Sequence, residues 1–107
     1  MKAVVLRFYM LENRKLHGIL LYEWLLEHAR KMGIHGGSAF RAIAGYGRHG
    51  VMHEQHFFEL AGDLTIVTEF IVTQEQADML VQLVHTEKVP IVAARWDADL
   101  EVFEGTV

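Results

Sequence analysis

Three of the chain's seven histidines, His49, His53 and His56, fall within eight residues. Histidine changes charge between about pH 5 and 8 and is the commonest metal ligand. On a helix, His49/His53 would stand at i,i+4 and His53/His56 at i,i+3, and neighbours so spaced can share a metal. Glu54 and Glu59 could assist. The run is not His-Glu-x-x-His, because Phe57 stands four residues after His53. It reads first as an exposed, pH-sensitive loop and second as a metal site.

Just ahead of it, Gly45-Tyr46-Gly47-Arg48-His49-Gly50 matches Gly-x-Gly-x-x-Gly. A dinucleotide site needs a helix opening at this point and a parallel strand beyond it. The sequence that follows, VMHEQHFFEL, offers a short, poorly capped helix at best. Two readings stay open: a flexible loop mouth, or a loop base whose bare N–H groups approach a phosphate or other anion. Arg41 and Arg48 flank the motif, which favours an anion. His17, in Arg14-Lys15-Leu16-His17-Gly18, reads either as a phosphate or ribose contact or as a solvent-facing loop histidine. Covalent catalysis finds little support. There is no cysteine, and the one serine, Ser38, has no Gly-x-Ser-x-Gly elbow. Asp97 and Asp99 share one strand face and read as a solvated edge rather than an acid/base pair. The chain is therefore expected to bind rather than to catalyse.

These residues need a scaffold, and 107 residues supply one domain, 1–107. The hydrophobic fraction of 51% and charged fraction of 22% exclude disorder and coiled coil. No run approaches the ~18 apolar residues of a membrane span, so direct membrane insertion is not expected. Without cysteines or a secretion-type leader, the expected compartment is the cytoplasm. The net charge is −4, and the ten basic residues are scattered. Nucleic acid, which requires clustered Lys and Arg, is not an expected partner. Protonation of all seven histidines would carry the charge to +3.

Ala3–Tyr9 (AVVLRFY) reads as a buried strand and Glu12–His17 as a polar loop. Ile19–Met32 reads as a helix striped by Leu21, Leu25, Ala29 and Met32, with Gly33 at its C-cap. Leu20 and Trp24 lie beside that stripe, a width that suggests a subunit contact; Trp24, Trp96 and Phe70 read as core or interface. Ser38–Tyr46 is a second strand, 47–62 a long His-rich loop, and LTIVTEFIV a third strand. Thr73-x-x-Gln76 is a capping box opening a helix to about Lys88. Ile91–Phe103 is a fourth strand with a bulge near Asp97. The order βαββαβ predicts an α+β, ferredoxin-like fold: a four-stranded antiparallel sheet with two helices on one face. Strands apolar on both faces would leave a bare apolar face on a monomer, so an oligomer is expected.

The stretches LRFYMLENRKLHG, LLYEWLLEHARKMGIHGG, SAFRAIAGYG, the Met-His of the next loop and DLTIVTEFIV together resemble a known family. It comprises the small bacterial and archaeal PII-like proteins catalogued as domain of unknown function 190. The family's usual glycine after the arginine is Ala42 here. The resemblance implies a PII-style homotrimer with small effectors, usually adenine nucleotides, in clefts between subunits. It also implies a long loop, here 47–62, that docks on a target such as a membrane transporter or an enzyme. The anion is placed around Arg41, Gly45 and Gly47, with Arg14, His17 and His53 as further candidates. True PII proteins clasp phosphates with a Gly- and Lys-rich loop after the second helix. His85-Thr86-Glu87-Lys88-Val89-Pro90 has no glycine and one lysine, which favours AMP or ADP over ATP. The usual modified tyrosine of PII loops has no equivalent in 48–60. Two other readings compete: a divalent-metal trimer resembling cation-tolerance proteins, through His49, His53 and His56, and a small ferredoxin-like enzyme with a histidine base.

Overall fold

The computed structural model describes residues 1–46, the backbone of 52–54, and 64–104. In chain order the elements are β1 (Lys2–Leu11), β2 (Lys15–Leu16), β3 (Ile19–Leu20), α1 (Leu21–Lys31) and β4 (Gly37–Arg41). They continue as β5 (Ala44–Tyr46), β6 (Met52–Glu54), β7 (Thr65–Val72), α2 (Gln74–Glu87) and β8 (Val92–Asp99). The main sheet has the order β4-β7-β1-β8, every neighbouring pair antiparallel. With β1, β4, β7 and β8 as its strands and α1 and α2 as its crossovers, this is the expected ferredoxin-like βαββαβ arrangement.

Period-two alternation decides what each strand buries. Val4, Leu6, Phe8 and Met10 of β1 and Ile66, Phe70 and Val72 of β7 enter the core. There they meet Leu21, Leu25 and Ala29 of α1 and Ala77, Leu80 and Val84 of α2. Phe8 and Phe70 meet edge to face, ring centroids 6.3 Å apart. Of the two places open to Trp24, core or interface, the structure puts it in this core. A Cβ added to Gly37, the first residue of β4, would lie 2.6 Å from the Phe70 ring and 3.1 Å from Leu26 Cδ2. Only glycine lets that edge strand close over the aromatic pair.

The capping box forms as the sequence predicts: the Gln76 N–H donates to Thr73 Oγ1, and the Thr73 N–H donates to Gln76 Oε1. Gly33, at φ +87°, follows the C-cap Met32 of α1 in the left-handed conformation.

Three boundaries differ from the sequence expectation. The second strand is split into β4 and β5 by Ala42–Ile43. The supposed polar loop after β1 holds the hairpin β2–β3. The last strand stops at Asp99, and its register against β1 is continuous through Asp97, so there is no bulge.

Thr68 lies at the sheet centre, opposite Phe8 and Ala39, and is fully buried. Its hydroxyl meets no hydrogen-bond partner among the described residues. An unpaired buried hydroxyl costs about 1–3 kcal/mol. Thr68→Val keeps the shape and removes the hydroxyl, so the melting temperature is expected to rise by a few degrees; an unchanged or lower value would show the hydroxyl to be satisfied.

Candidate functional site

The candidate residues gather where β1 and β4 end and β7 begins. Leu16 and Ile19 pair across the β2–β3 hairpin, leaving His17 and Gly18 as its two-residue turn. Both have positive φ, +52° and +83°. That is the requirement of a type I′ turn, the form whose twist matches a tight hairpin. Histidine tolerates this conformation better than most non-glycine residues. The turn holds His17 out toward the end of α2, where its Nε2 lies 2.8 Å from Glu87 Oε2.

Arg41 is the last residue of β4. Its guanidinium donates to Glu12 Oε1 at 2.5 Å. Glu12 follows β1 directly, and its N–H donates to the Leu64 carbonyl at 2.7 Å. The Ala42 N–H donates to the Thr65 carbonyl at 2.8 Å, so the chain is still tied to the sheet one residue past Arg41. Arg14 contributes through its backbone: its carbonyl accepts from the Leu21 N–H at 2.8 Å and holds the start of α1. Its side chain is half-buried.

Beyond Ala42–Ile43 a two-stranded ribbon begins, β5 against β6, in which Gly45 lies directly opposite His53. Two candidates chosen on separate grounds are thus cross-strand neighbours. A Cβ added to Gly45 would meet nothing within 4 Å. The ribbon also removes the dinucleotide reading of Gly-x-Gly-x-x-Gly, since Gly45 stands in an antiparallel ladder and opens no helix. Gly47, His49 and His56 lie outside the described residues, as does most of 47–62. Among the described residues no group of three or more His, Asp or Glu is arranged to hold a metal.

A cavity of about 230 Å³ opens beside the loop after α2, lined by Phe8, Val84, Val89 and Ile91 together with His85 and Lys88. It belongs to the same end of the molecule as Glu87. A broader concavity of about 750 Å³ lies elsewhere, between the outer surfaces of α1 and α2 near Met32, Met79 and Leu83. No cationic candidate of the cluster lines it.

The cluster therefore comprises the Arg41 guanidinium, just ahead of the ribbon, and the His17 imidazole, each meeting a carboxylate from another element. Sequence reading found the bases and missed the acids, Glu12 and Glu87. An anionic group of a ligand would meet the same two donors that these carboxylates now occupy.

Residues 3–93 match the family model DUF190, described as "Uncharacterized ACR". The chain belongs to the DUF190 family. The resemblance read from its motifs is thereby borne out. Among curated relatives, the DUF190 chain is 36% identical over 75 residues to a UPF0166 protein of Aquifex aeolicus, covering 70% of this chain and 71% of that one. A UPF0166 protein of Methanocaldococcus jannaschii is 32% identical over 74 residues, covering 69% and 68%. Among solved structures, the nitrogen regulatory PII-like protein CPII of Thiomonas intermedia, bound to ADP, AMP and bicarbonate, superposes with a TM-score of 0.67. The sequence identity is 20%, and the match covers 92% of this chain and 87% of that one. A PII-like signalling protein of Thermus thermophilus gives a TM-score of 0.63 at 20% identity, covering 91% and 87%. The DUF190 chain thus has a PII-like fold. No helix among its described residues is long and apolar enough to cross a membrane.

Proposed function

We propose that this chain is a PII-like regulatory protein that assembles as a homotrimer and binds an adenine nucleotide, AMP or ADP, in the clefts between subunits. It acts as a binding module rather than an enzyme, passing the state of the site to a target protein, a membrane transporter or an enzyme, through 47–62. The observation that carries the reading is the placement of Arg41. It ends β4, faces an acid it can exchange for a phosphate, and stands three residues before the β5–β6 ribbon. A ligand that takes Arg41 therefore acts directly on the root of the segment assigned to the target. His17, from the β2–β3 turn, reaches the same end of the subunit. A PII-like neighbour crystallised with ADP, AMP and bicarbonate supports the choice of ligand. The loop at 85–90, with Lys88 and no glycine, offers few partners to a third phosphate.

Calorimetric titration with AMP, ADP, ATP and cyclic AMP, with and without magnesium, tests this. The expected result is micromolar binding, about −8 kcal/mol, of AMP or ADP ahead of ATP. Stronger binding of ATP would reverse the inference from 85–90. Absence of heat with all four would leave the PII likeness as a statement about fold.

A further inference from the structure

α2 carries more apolar surface than the core consumes. Ala77, Leu80 and Val84 are spent on the sheet. Met79 and Leu83, one turn apart, form a second stripe that faces Met32 of α1 across the groove of about 750 Å³ between the two helices. Met79 is 51% exposed. Open apolar surface rimmed by polar groups is the usual mark of an interaction site, and methionine adapts to the shape of what it meets. The groove lies on the helix-covered side of the sheet. Val92 and Trp96, opposite Tyr9 and Val5, mark the other side, so whatever covers that face leaves the groove open.

The two walls differ in charge. On α1, Lys31 Nζ lies 3.9 Å from Glu27 Oε1, an atom that Arg30 already holds at 2.6 Å. His28 is fixed along the same wall. Its Nδ1–H donates to the Trp24 carbonyl at 3.0 Å, and its ring stacks on Trp24 with centroids 4.2 Å apart. On α2, Asp78 is neutralised by Arg95 of β8 at 2.7 Å and accepts from Gln74 Nε2 at 3.2 Å. Among the described residues of the rim, the charge left over is therefore positive and sits at Lys31.

We infer that this groove docks an amphipathic helix of a partner protein, its apolar stripe on Met32, Met79 and Leu83 and its acidic edge against Lys31. The inference goes beyond the nucleotide reading and does not depend on it. Two arguments select the occupant. Both walls are α-helices, whose backbone N–H and C=O groups are spent internally. An extended peptide would find no backbone partners there, whereas a helix arrives with its own satisfied. Met79, Leu83 and Thr86 stand at i, i+4 and i+7, a ridge of about 10 Å that packs into the groove of another helix. Charge complementarity is the second argument. The α2 wall is neutral and the α1 wall positive, so the partner needs acids on the edge that faces α1.

Fluorescence anisotropy with labelled model peptides of about 16 residues, roughly 24 Å of helix, tests this on the full chain. One peptide carries leucines at i, i+3, i+4 and i+7 with glutamates along one edge. A second has lysines in place of the glutamates, and a third has the leucine stripe scrambled. The wild type is expected to bind the glutamate peptide about fivefold or more tightly than the lysine peptide at low salt. The scrambled peptide should bind about tenfold more weakly or not at all. Met79→Lys places a charge on the floor of the groove and should cost about tenfold or more in affinity. Met79 is exposed, so the melting temperature should hold. Lys31→Glu should reverse the preference between the glutamate and lysine peptides. No binding of the glutamate peptide, equal binding of the two charged peptides, or affinities that neither variant changes would overturn the inference. Saturable binding of dodecanoate that Met79→Lys abolishes, with no peptide bound, would give the groove to a single-chain amphiphile and overturn the helix as its occupant.

Discussion

Phe70→Ala is expected to destabilise the chain by about 3–5 kcal/mol, the usual cost of removing a buried phenylalanine. Phe70 is almost fully buried, meets Phe8 edge to face, and closes against the bare backbone of Gly37. The cavity left behind would be bounded by sheet backbone and by two helices that are themselves packed, so collapse can recover little. Domains of this size hold only ~5–15 kcal/mol in total. A melting temperature lower by more than ~10 °C should follow, compared at equal protein concentration because assembly couples to stability. A fall of only a few degrees would mean that the site repacks and that the Gly37–Phe70 closure contributes little.

The second large effect separates two residues that touch. Arg41→Ala should weaken nucleotide binding by about 1.5–3 kcal/mol, roughly 10- to 150-fold, if the guanidinium meets a charged group of the ligand. Glu12→Gln should act in the opposite direction. In the free chain the Glu12 carboxylate occupies the guanidinium that the ligand needs. The amide is a weaker competitor, and affinity should rise severalfold. The pair is exposed, so its own contribution to stability is small, ~0–1 kcal/mol, and melting temperatures should barely move. Opposite signs in calorimetry with near-constant melting temperatures are the expected pattern. Equal losses from both variants would show that the two residues form a structural clasp and that neither holds the ligand. Unchanged affinity in Arg41→Ala would remove Arg41 from the site.

The main sheet and both helices were legible because their signals are long. β1 and β7 carry ten and eight residues of apolar, largely β-branched and aromatic chain, and Thr73 and Gln76 mark the start of α2 without help from the rest of the fold. What escaped notice is short. β2 and β3 have two residues each, too few for any periodicity, and their one sign is His17-Gly18 between Leu16 and Ile19. Ala42–Ile43 separates β4 from β5 without any residue typical of a turn. The basic half of the site was visible by residue type. The acidic half was not, because Glu12 and Glu87 reach their partners across 29 and 70 residues of chain, a pairing that only the fold creates.

Glu12 is moored twice, by its amide to Leu64 and by its carboxylate to Arg41, and Ala42 is moored by its amide to Thr65. Residues 43–63 thus leave and rejoin the sheet between two backbone knots and one side-chain knot. An incoming anion competes for the side-chain knot only. The two backbone hydrogen bonds, and with them the distance between Ala42 and Leu64, do not involve the Arg41 side chain. Losing the third knot frees torsion at Arg41 and not separation. On the proposed reading, what a ligand alters is the direction of the chain at Arg41, while the two backbone anchors stay where they are.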